Sequence, residues 1–110
     1  MQKDIFESAP RSSGDFAGVF EFDGEAGYFY LYKLNQREGN AVVDALHILS
    51  GEVDIDSSDI DVKWDQLENR VGFFLHGQLW AVFNVRTSKK FGGDYSPIEK
   101  PKIPIGERFE

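Results

Sequence analysis

The chain has 110 residues, a net charge of −7 near neutral pH and no cysteine. A chain of this length forms one domain with a core that needs no metal or disulfide, and the absence of cysteine excludes a disulfide scaffold, a thiolate zinc site and a cysteine nucleophile. The first residues lack the apolar segment of a signal peptide, and no apolar run approaches the roughly 18 residues of a membrane span, so we expect a cytoplasmic protein with no membrane partner.

The charge is unevenly distributed along the sequence. Residues 1–69 contain fifteen Asp and Glu against five Lys and Arg, whereas residues 70–110 contain four acids and seven bases. The acidic part repels phosphate backbones, which disfavours nucleic acid and suits a basic protein partner. The simpler alternative is an acidic surface that only keeps a small protein soluble.

The first third of the chain predicts a leader and two aromatic strands. Residues 1–14 mix charges with proline, serine and glycine, so we expect a loosely ordered leader. Residues 15–22, DFAGVFEF, alternate as in a strand whose phenylalanines share an inner face. A hairpin loop containing Asp23 and Glu25 follows, and then a second strand, YFYLYKL.

That second strand places Tyr28, Tyr30 and Tyr32 on one face, because side chains alternate along a strand. Three such tyrosines form either a platform for a ligand or partner, or half-buried packing with the hydroxyls in water. The sequence leaves both interpretations open.

After a polar loop at residues 35–40, the segment AVVDALHILSG, residues 41–51, is ambiguous. Its apolar positions fit an amphipathic helix or a buried strand, and its β-branched residues and flanking glycines favour a strand. His47 lies within it. A histidine there is a catalytic candidate or, more simply, a group bonded at a sheet edge.

The acidic stretch from Asp54 to Asp65 invites comparison with a calcium-binding loop. An EF-hand needs glycine at its sixth position and glutamate at its twelfth, where this chain has Asp59 and Asp65. We therefore predict no metal site there. Residues 60–64, IDVKW, instead predict a strand that pairs with the next one.

The core is predicted around the hairpin RVGFFLHGQLWAVFNV, Arg70 to Val85, with a turn at His76-Gly77. In the simplest register Phe73 faces Trp80 and Val71 faces Val82. Both faces of this hairpin are apolar, so both must be covered. The candidates are the aromatic hairpin at residues 15–34 on one side and either the 41–49 segment or the C-terminal arm on the other.

Residues 97–110 predict that arm, because prolines at 97, 101 and 104 favour an extended chain. The arm lies across its own domain, reaches a second copy to form a homodimer, or remains a solvated tail. Gly92-Gly93 beside two lysines lacks the spacing of a phosphate loop and predicts a flexible joint before the arm.

Two pieces of the sequence resemble a known family: FEFDGEAGYFYLY at residues 20–32 and VKWDQLENRVGFFLHGQLWAVFNV at residues 62–85, with DALHIL between them. They resemble short, uncharacterised bacterial proteins with an acidic D-G-E-x-G-Y-F-Y hairpin, a central D-A-x-H-I element and a late hairpin ending A-V-F. The similarity covers roughly residues 15–96 and departs at His76, where asparagine is expected. It implies a bacterial single-domain protein and supplies no catalytic residue.

Together these observations predict an all-β fold: an antiparallel meander of about six strands, in a sandwich or open barrel, with at most one short helix. The globular domain spans residues 15–96. We expect a non-enzymatic interaction module without a cofactor, using Tyr28, Tyr30, Tyr32, His47, Asp23 and Glu25 toward a basic protein. The alternative is a small-ligand binder or enzyme with a pocket lined by the tyrosines and His47.

Overall fold

The computed structural model describes residues 4–35, 37, 39–51 and 53–110, and within these ranges the chain is all-β. Parts of the predicted leader, the polar loop and the acidic stretch, namely residues 1–3, 36, 38 and 52, lie outside the described residues. The eight strands found there are β1 (Ile5–Pro10), β2 (Phe16–Phe22), β3 (Ala26–Lys33), β4 (Ala41–Ser50), β5 (Ile60–Trp64), β6 (Arg70–Leu75), β7 (Gln78–Asn84) and β8 (Lys89–Gly92).

The strands form two antiparallel sheets, each with its strands in chain order: β1-β2-β3-β4 and β5-β6-β7-β8. The sheets pack face to face, with β2 against β5 and β6 and with β4 near β7. Phenylalanines join them, since the ring centroids of Phe20 and Phe73 are 4.4 Å apart and those of Phe29 and Phe83 are 4.9 Å apart. The all-β prediction is confirmed, and the predicted meander is split into two packed layers.

Two local predictions are confirmed by the pairing. The ambiguous segment is strand β4, paired with β3 through residues 41–50. Strand β5 pairs with β6, from Ile60 opposite Leu75 to Trp64 opposite Val71.

The β6–β7 hairpin turns at His76-Gly77, as predicted, and both residues have positive φ, 52° and 79°. Beyond the turn the predicted register is wrong, because a bulge between Phe73 and Phe74 pairs Phe73 with Ala81 instead of Trp80. The bulge rotates the rest of β7, so that Val71 faces Phe83. Val82 consequently packs on the outer side of the sheet and Phe83 on the inner side.

The outer face of this hairpin is covered by the C-terminal arm of the same chain. Ile103 is 3% exposed and packs with Phe74, Leu79 and Val82, and Phe109 meets Phe74 edge to face at 5.6 Å. A short 3₁₀ helix, Ile105–Glu107, lies within the arm. Of the three arrangements predicted for the arm, the structure of one chain has the first, in which the arm packs on its own domain. A homodimer through an exchanged arm remains a prediction, which an unchanged mass in light scattering after deletion of residues 97–110 would contradict.

The segment predicted as a loose leader contains strand β1, and the prediction is wrong there. Ile5 is buried in the core, and β1 pairs with β2 from Ile5 opposite Phe22 to Pro10 opposite Ala17. Trp64 Nε1 donates a hydrogen bond to the carbonyl oxygen of Ala9 at 2.8 Å. Proline is tolerated because β1 is an edge strand, where one side of the backbone needs no ladder partner.

Gly92-Gly93 connects the two sheets and is not a flexible joint. Gly92 and Gly93 have φ of 87° and 97°, and a side chain on Gly93 would approach the carbonyl oxygen of His47 to 2.8 Å. The following amides donate to β4: Asp94 N to His47 O at 2.8 Å and Tyr95 N to Ile48 O at 2.6 Å. Within the described ranges, no helix has the length and apolar character needed to span a membrane.

Candidate functional site

The candidate site is built on the outer face of the first sheet. Strand pairing places Tyr28, Tyr30 and Tyr32 of β3 opposite His47, Ala45 and Val42 of β4. Bulges in the β3–β4 pair keep these residues on one face even though the register shifts. On the other side of β3, the same three tyrosines pair with Glu21, Val19 and Ala17 of β2.

We call this surface the tyrosine face and define it by three rows that cross the sheet. From β1 to β4 the rows are Phe6, Glu21, Tyr28 and His47; Ser8, Val19, Tyr30 and Ala45; and Pro10, Ala17, Tyr32 and Val42. Phe6 is 63% exposed, Val42 51% and Tyr28 38%. The face is therefore open to solvent, in contrast to the outer face of the β6–β7 hairpin.

The tyrosine rings contact one another along β3. The ring centroids of Tyr28 and Tyr30 are 5.9 Å apart, and those of Tyr30 and Tyr32 are 6.0 Å apart. Burial raises the pKa of the Tyr30 hydroxyl above 10.0, and the carboxylate of Glu21 adds to this rise. Tyr30 and Tyr32 are half-buried, whereas Tyr28 is exposed.

His47 extends the row of rings toward the second sheet. Its ring meets Tyr28 edge to face with centroids 5.3 Å apart, and its Nδ1 atom lies 2.9 Å from Oδ1 of Asp94. An ionised carboxylate only accepts hydrogen bonds, so this contact assigns the proton to Nδ1. The backbone N–H groups of Asp94 and Tyr95 donate hydrogen bonds to β4, and these bonds fix the position of Asp94.

Asp23 and Glu25 lie in the turn between β2 and β3, at the end of the face that carries Tyr28 and His47. Oδ1 of Asp23 accepts hydrogen bonds from the backbone N–H of Glu25 and of Ala26, both at 2.8 Å. These bonds lower the pKa of Asp23 below its ordinary value, and the bond from Ala26 has the larger effect. Asp23 therefore holds the turn as well as contributing charge, and Glu25 is exposed.

The structure brings together all six residues predicted as binding candidates along one face and its adjoining turn. The groove at the end of β4 is lined by His47 but by none of the three tyrosines, so a pocket shared by His47 and the tyrosines stays a prediction. Sequence reasoning missed Asp94, which is 47 residues from His47. It also missed the apolar rim made by Phe6 and Val42.

No metal site emerges from the acidic stretch in the part of the chain that the structure describes, where no three His, Asp or Glu side chains are grouped to hold an ion. The Asp56 side chain caps the 3₁₀ helix Ser57–Asp59, accepting from Ser58 N at 2.9 Å, and Asp59 accepts in turn from Asp56 N. These carboxylates stabilise a loop.

The fold and the site define a small β-sandwich with one outer face covered by its own chain and the other open and rich in tyrosine. A family model described as an uncharacterised protein conserved in bacteria, DUF2251, matches residues 2–102, so the chain belongs to this family. The predicted resemblance to uncharacterised bacterial proteins is thereby confirmed.

A relative from Haemophilus influenzae, strain Rd, is likewise described as an uncharacterised protein. It is 29% identical over 96 residues, which cover 76% of this chain and 58% of the relative. The chain thus spans less than two thirds of that relative's length. No solved structure matches the chain significantly.

Proposed function

We propose that this protein is a non-enzymatic interaction module that binds a basic protein through the tyrosine face. The observation that carries the proposal is the difference between the two outer faces. The arm buries Phe74, Leu79 and Val82 on one sheet, while Phe6, Tyr28 and Val42 stay exposed on the other. Exposed apolar surface of this kind is typical of interaction sites.

The chemistry of the tyrosine face suits a cationic partner. Tyrosine rings attract lysine and arginine side chains through their electron-rich faces. Glu21 lies in the same row as Tyr28, and Asp23 and Glu25 adjoin it at the turn. These carboxylates belong to the acidic part of the chain, residues 1–69.

The size of the face limits the area that a complex can bury there. Four strands about 4.8 Å apart and about seven residues long cover roughly 400 Å². Stable complexes bury about 800 Å² on each partner, so this face alone supports a transient complex. A tighter complex needs a neighbouring surface as well.

Affinity capture from a bacterial host of this family tests the proposal. Immobilised wild type retains a basic protein, and Tyr28→Ser combined with Tyr30→Ser releases it. Ile105→Ser is the matched control, because Ile105 is 82% exposed but lies on the arm. Added salt weakens the captured complex, since exposed charges are screened. Capture of the same proteins by the double variant, or of no basic protein by wild type, would contradict the proposal.

A further inference from the structure

A groove opens beside the tyrosine face where β4 ends. It is lined by apolar residues, with Leu49, Val53, Tyr95 and Pro97 among them, and by Asp54, Asp94 and His47. The groove is continuous with the tyrosine face through the ring contact between His47 and Tyr28. The groove can therefore supply the additional contact surface that a tighter complex on the tyrosine face needs.

We infer that this groove receives a lysine or arginine side chain of the partner, an inference that rests on the proposed function. Long basic side chains combine an apolar stem with a charged end, and they bury the stem along apolar surface while the charge stays wet. The groove offers the matching composition: apolar residues for the stem and two acidic residues, Asp54 and Asp94, for the cation.

The carboxylate of Asp94 is held in place before any partner arrives. Its backbone N–H donates to His47 O at 2.8 Å, its Oδ1 accepts from His47 Nδ1 at 2.9 Å, and its side chain is 88% exposed. A carboxylate can accept several hydrogen bonds, so the bond to His47 leaves capacity for a cation. A fixed, exposed acceptor needs little reordering on binding.

The cations of the chain itself do not occupy this position among the described residues. None of the residues that line the groove there is Lys or Arg. The nearby Lys90 on β8 is engaged elsewhere, because its Nζ atom lies 2.7 Å from Oδ1 of Asp44. The charge of the groove is therefore available to an incoming basic side chain.

The test is a titration of the full chain followed by its amide resonances in NMR. The probes are N-acetyl-lysine methylamide and N-acetyl-arginine methylamide, and the neutral comparison is N-acetyl-norleucine methylamide. We expect saturable shifts with a cationic probe at residues 48–50, 53–54 and 94–95, and much smaller shifts with norleucine. Asp54→Asn combined with Asp94→Asn weakens binding by about fivefold or more, as expected for losing charge-assisted hydrogen bonds. Asp61→Asn, an exposed acid on the second sheet, is the control and leaves binding unchanged.

Three outcomes overturn the inference: no saturable shift with either cationic probe, equal shifts with norleucine, or equal weakening by Asp61→Asn. The capture experiment gives an independent result. Probe binding without capture of a basic protein rejects the proposed function and leaves a site for small cations. Capture without probe binding keeps the tyrosine face and rejects the groove.

Discussion

Arg70 and Glu107 join the central hairpin to the C-terminal arm, because Nε of Arg70 donates to Oε1 of Glu107 at 2.7 Å. The same oxygen accepts from Nδ2 of Asn84 at 2.9 Å, and Arg70 also donates to Oδ2 of Asp65 at 3.1 Å. The bond from Arg70, followed by that from Asn84, lowers the pKa of Glu107 below 4.5. The arm is thus held by a polar clamp as well as by apolar packing.

Glu107→Gln should lower the free energy of unfolding by about 1–2 kcal/mol near neutral pH, because bonds to a charged group contribute more than neutral ones. The folded-state pKa is depressed, so this stabilisation is present above the unfolded-state pKa and is lost as the pH falls through the folded value. Urea unfolding of wild type and variant is measured at neutral pH, where the stabilisation is present, and at a pH well below 4.5, where it is lost. The difference between wild type and variant closes at acid pH.

Glu99→Gln is the control for this clamp, since Glu99 is exposed on the same arm. It should leave unfolding unchanged at both pH values. A difference between wild type and Glu107→Gln that is equally large at acid pH would contradict the electrostatic explanation.

Ile103→Ala should destabilise the protein by about 2–4 kcal/mol, because it removes a buried side chain and leaves a cavity against the second sheet. Ile105→Ala, two residues away, should change stability by less than about 0.5 kcal/mol, as is usual for exposed positions. The two side chains are 3% and 82% exposed. Thermal or urea unfolding gives the comparison, and equal losses would show that the arm does not pack as described.

Gly93→Ala should cost about 1–3 kcal/mol, the usual range for a strained backbone conformation. The added methyl group would press on the carbonyl oxygen of His47, and the residue has a φ of 97°. Gly106→Ala is the matched control, because a methyl group added there would meet no other atom within 4 Å. Hydrogen exchange at the amides of Asp94 and Tyr95 should accelerate in the first variant only. Unchanged exchange there would mean that the link to β4 does not depend on glycine.

The hydroxyl of Tyr30 should titrate above 10.0 in the folded protein, since burial and Glu21 disfavour its anion. Subtracting the ultraviolet absorbance titration of Tyr30→Phe from that of wild type isolates this group. In urea, the pKa obtained from the same subtraction should return to about 10, the value of an exposed tyrosine. The raised folded pKa means that Tyr30 contributes stability below the unfolded value, and that this contribution is lost as the pH rises through the folded one. A folded midpoint at or below 10 would contradict the half-buried position of Tyr30.

The strands with strong alternation were predictable from sequence, and the short edge strands were not. The aromatic pattern of β2 and β3 and the turn at His76-Gly77 mark two hairpins directly. Strand β1 was obscured by Pro10, which an edge strand tolerates, and β8 is only four residues long. The sequence of neither strand can be distinguished from that of a loop unless the partner strand is known.

The geometry of the site depended on features that have no local signal. The bulge that pairs Phe73 with Ala81 reverses the predicted faces of Val82 and Phe83. His47 reaches Tyr28 only through the bulged β3–β4 register, and Asp94 reaches His47 only because the chain turns back to β4 through Gly92-Gly93. These contacts arise from long-range pairing, which residue patterns do not encode individually.

The covered second sheet also limits how the protein can assemble. Because the arm already occupies the outer face of the β6–β7 hairpin, the proposed complex would use the tyrosine face, and we expect it to join one chain to one partner. A repeating stack of sandwiches would need a second face, and that face becomes accessible only if the Arg70–Glu107 clamp opens. In such a complex the arm would serve as a cap that prevents stacking on the second sheet.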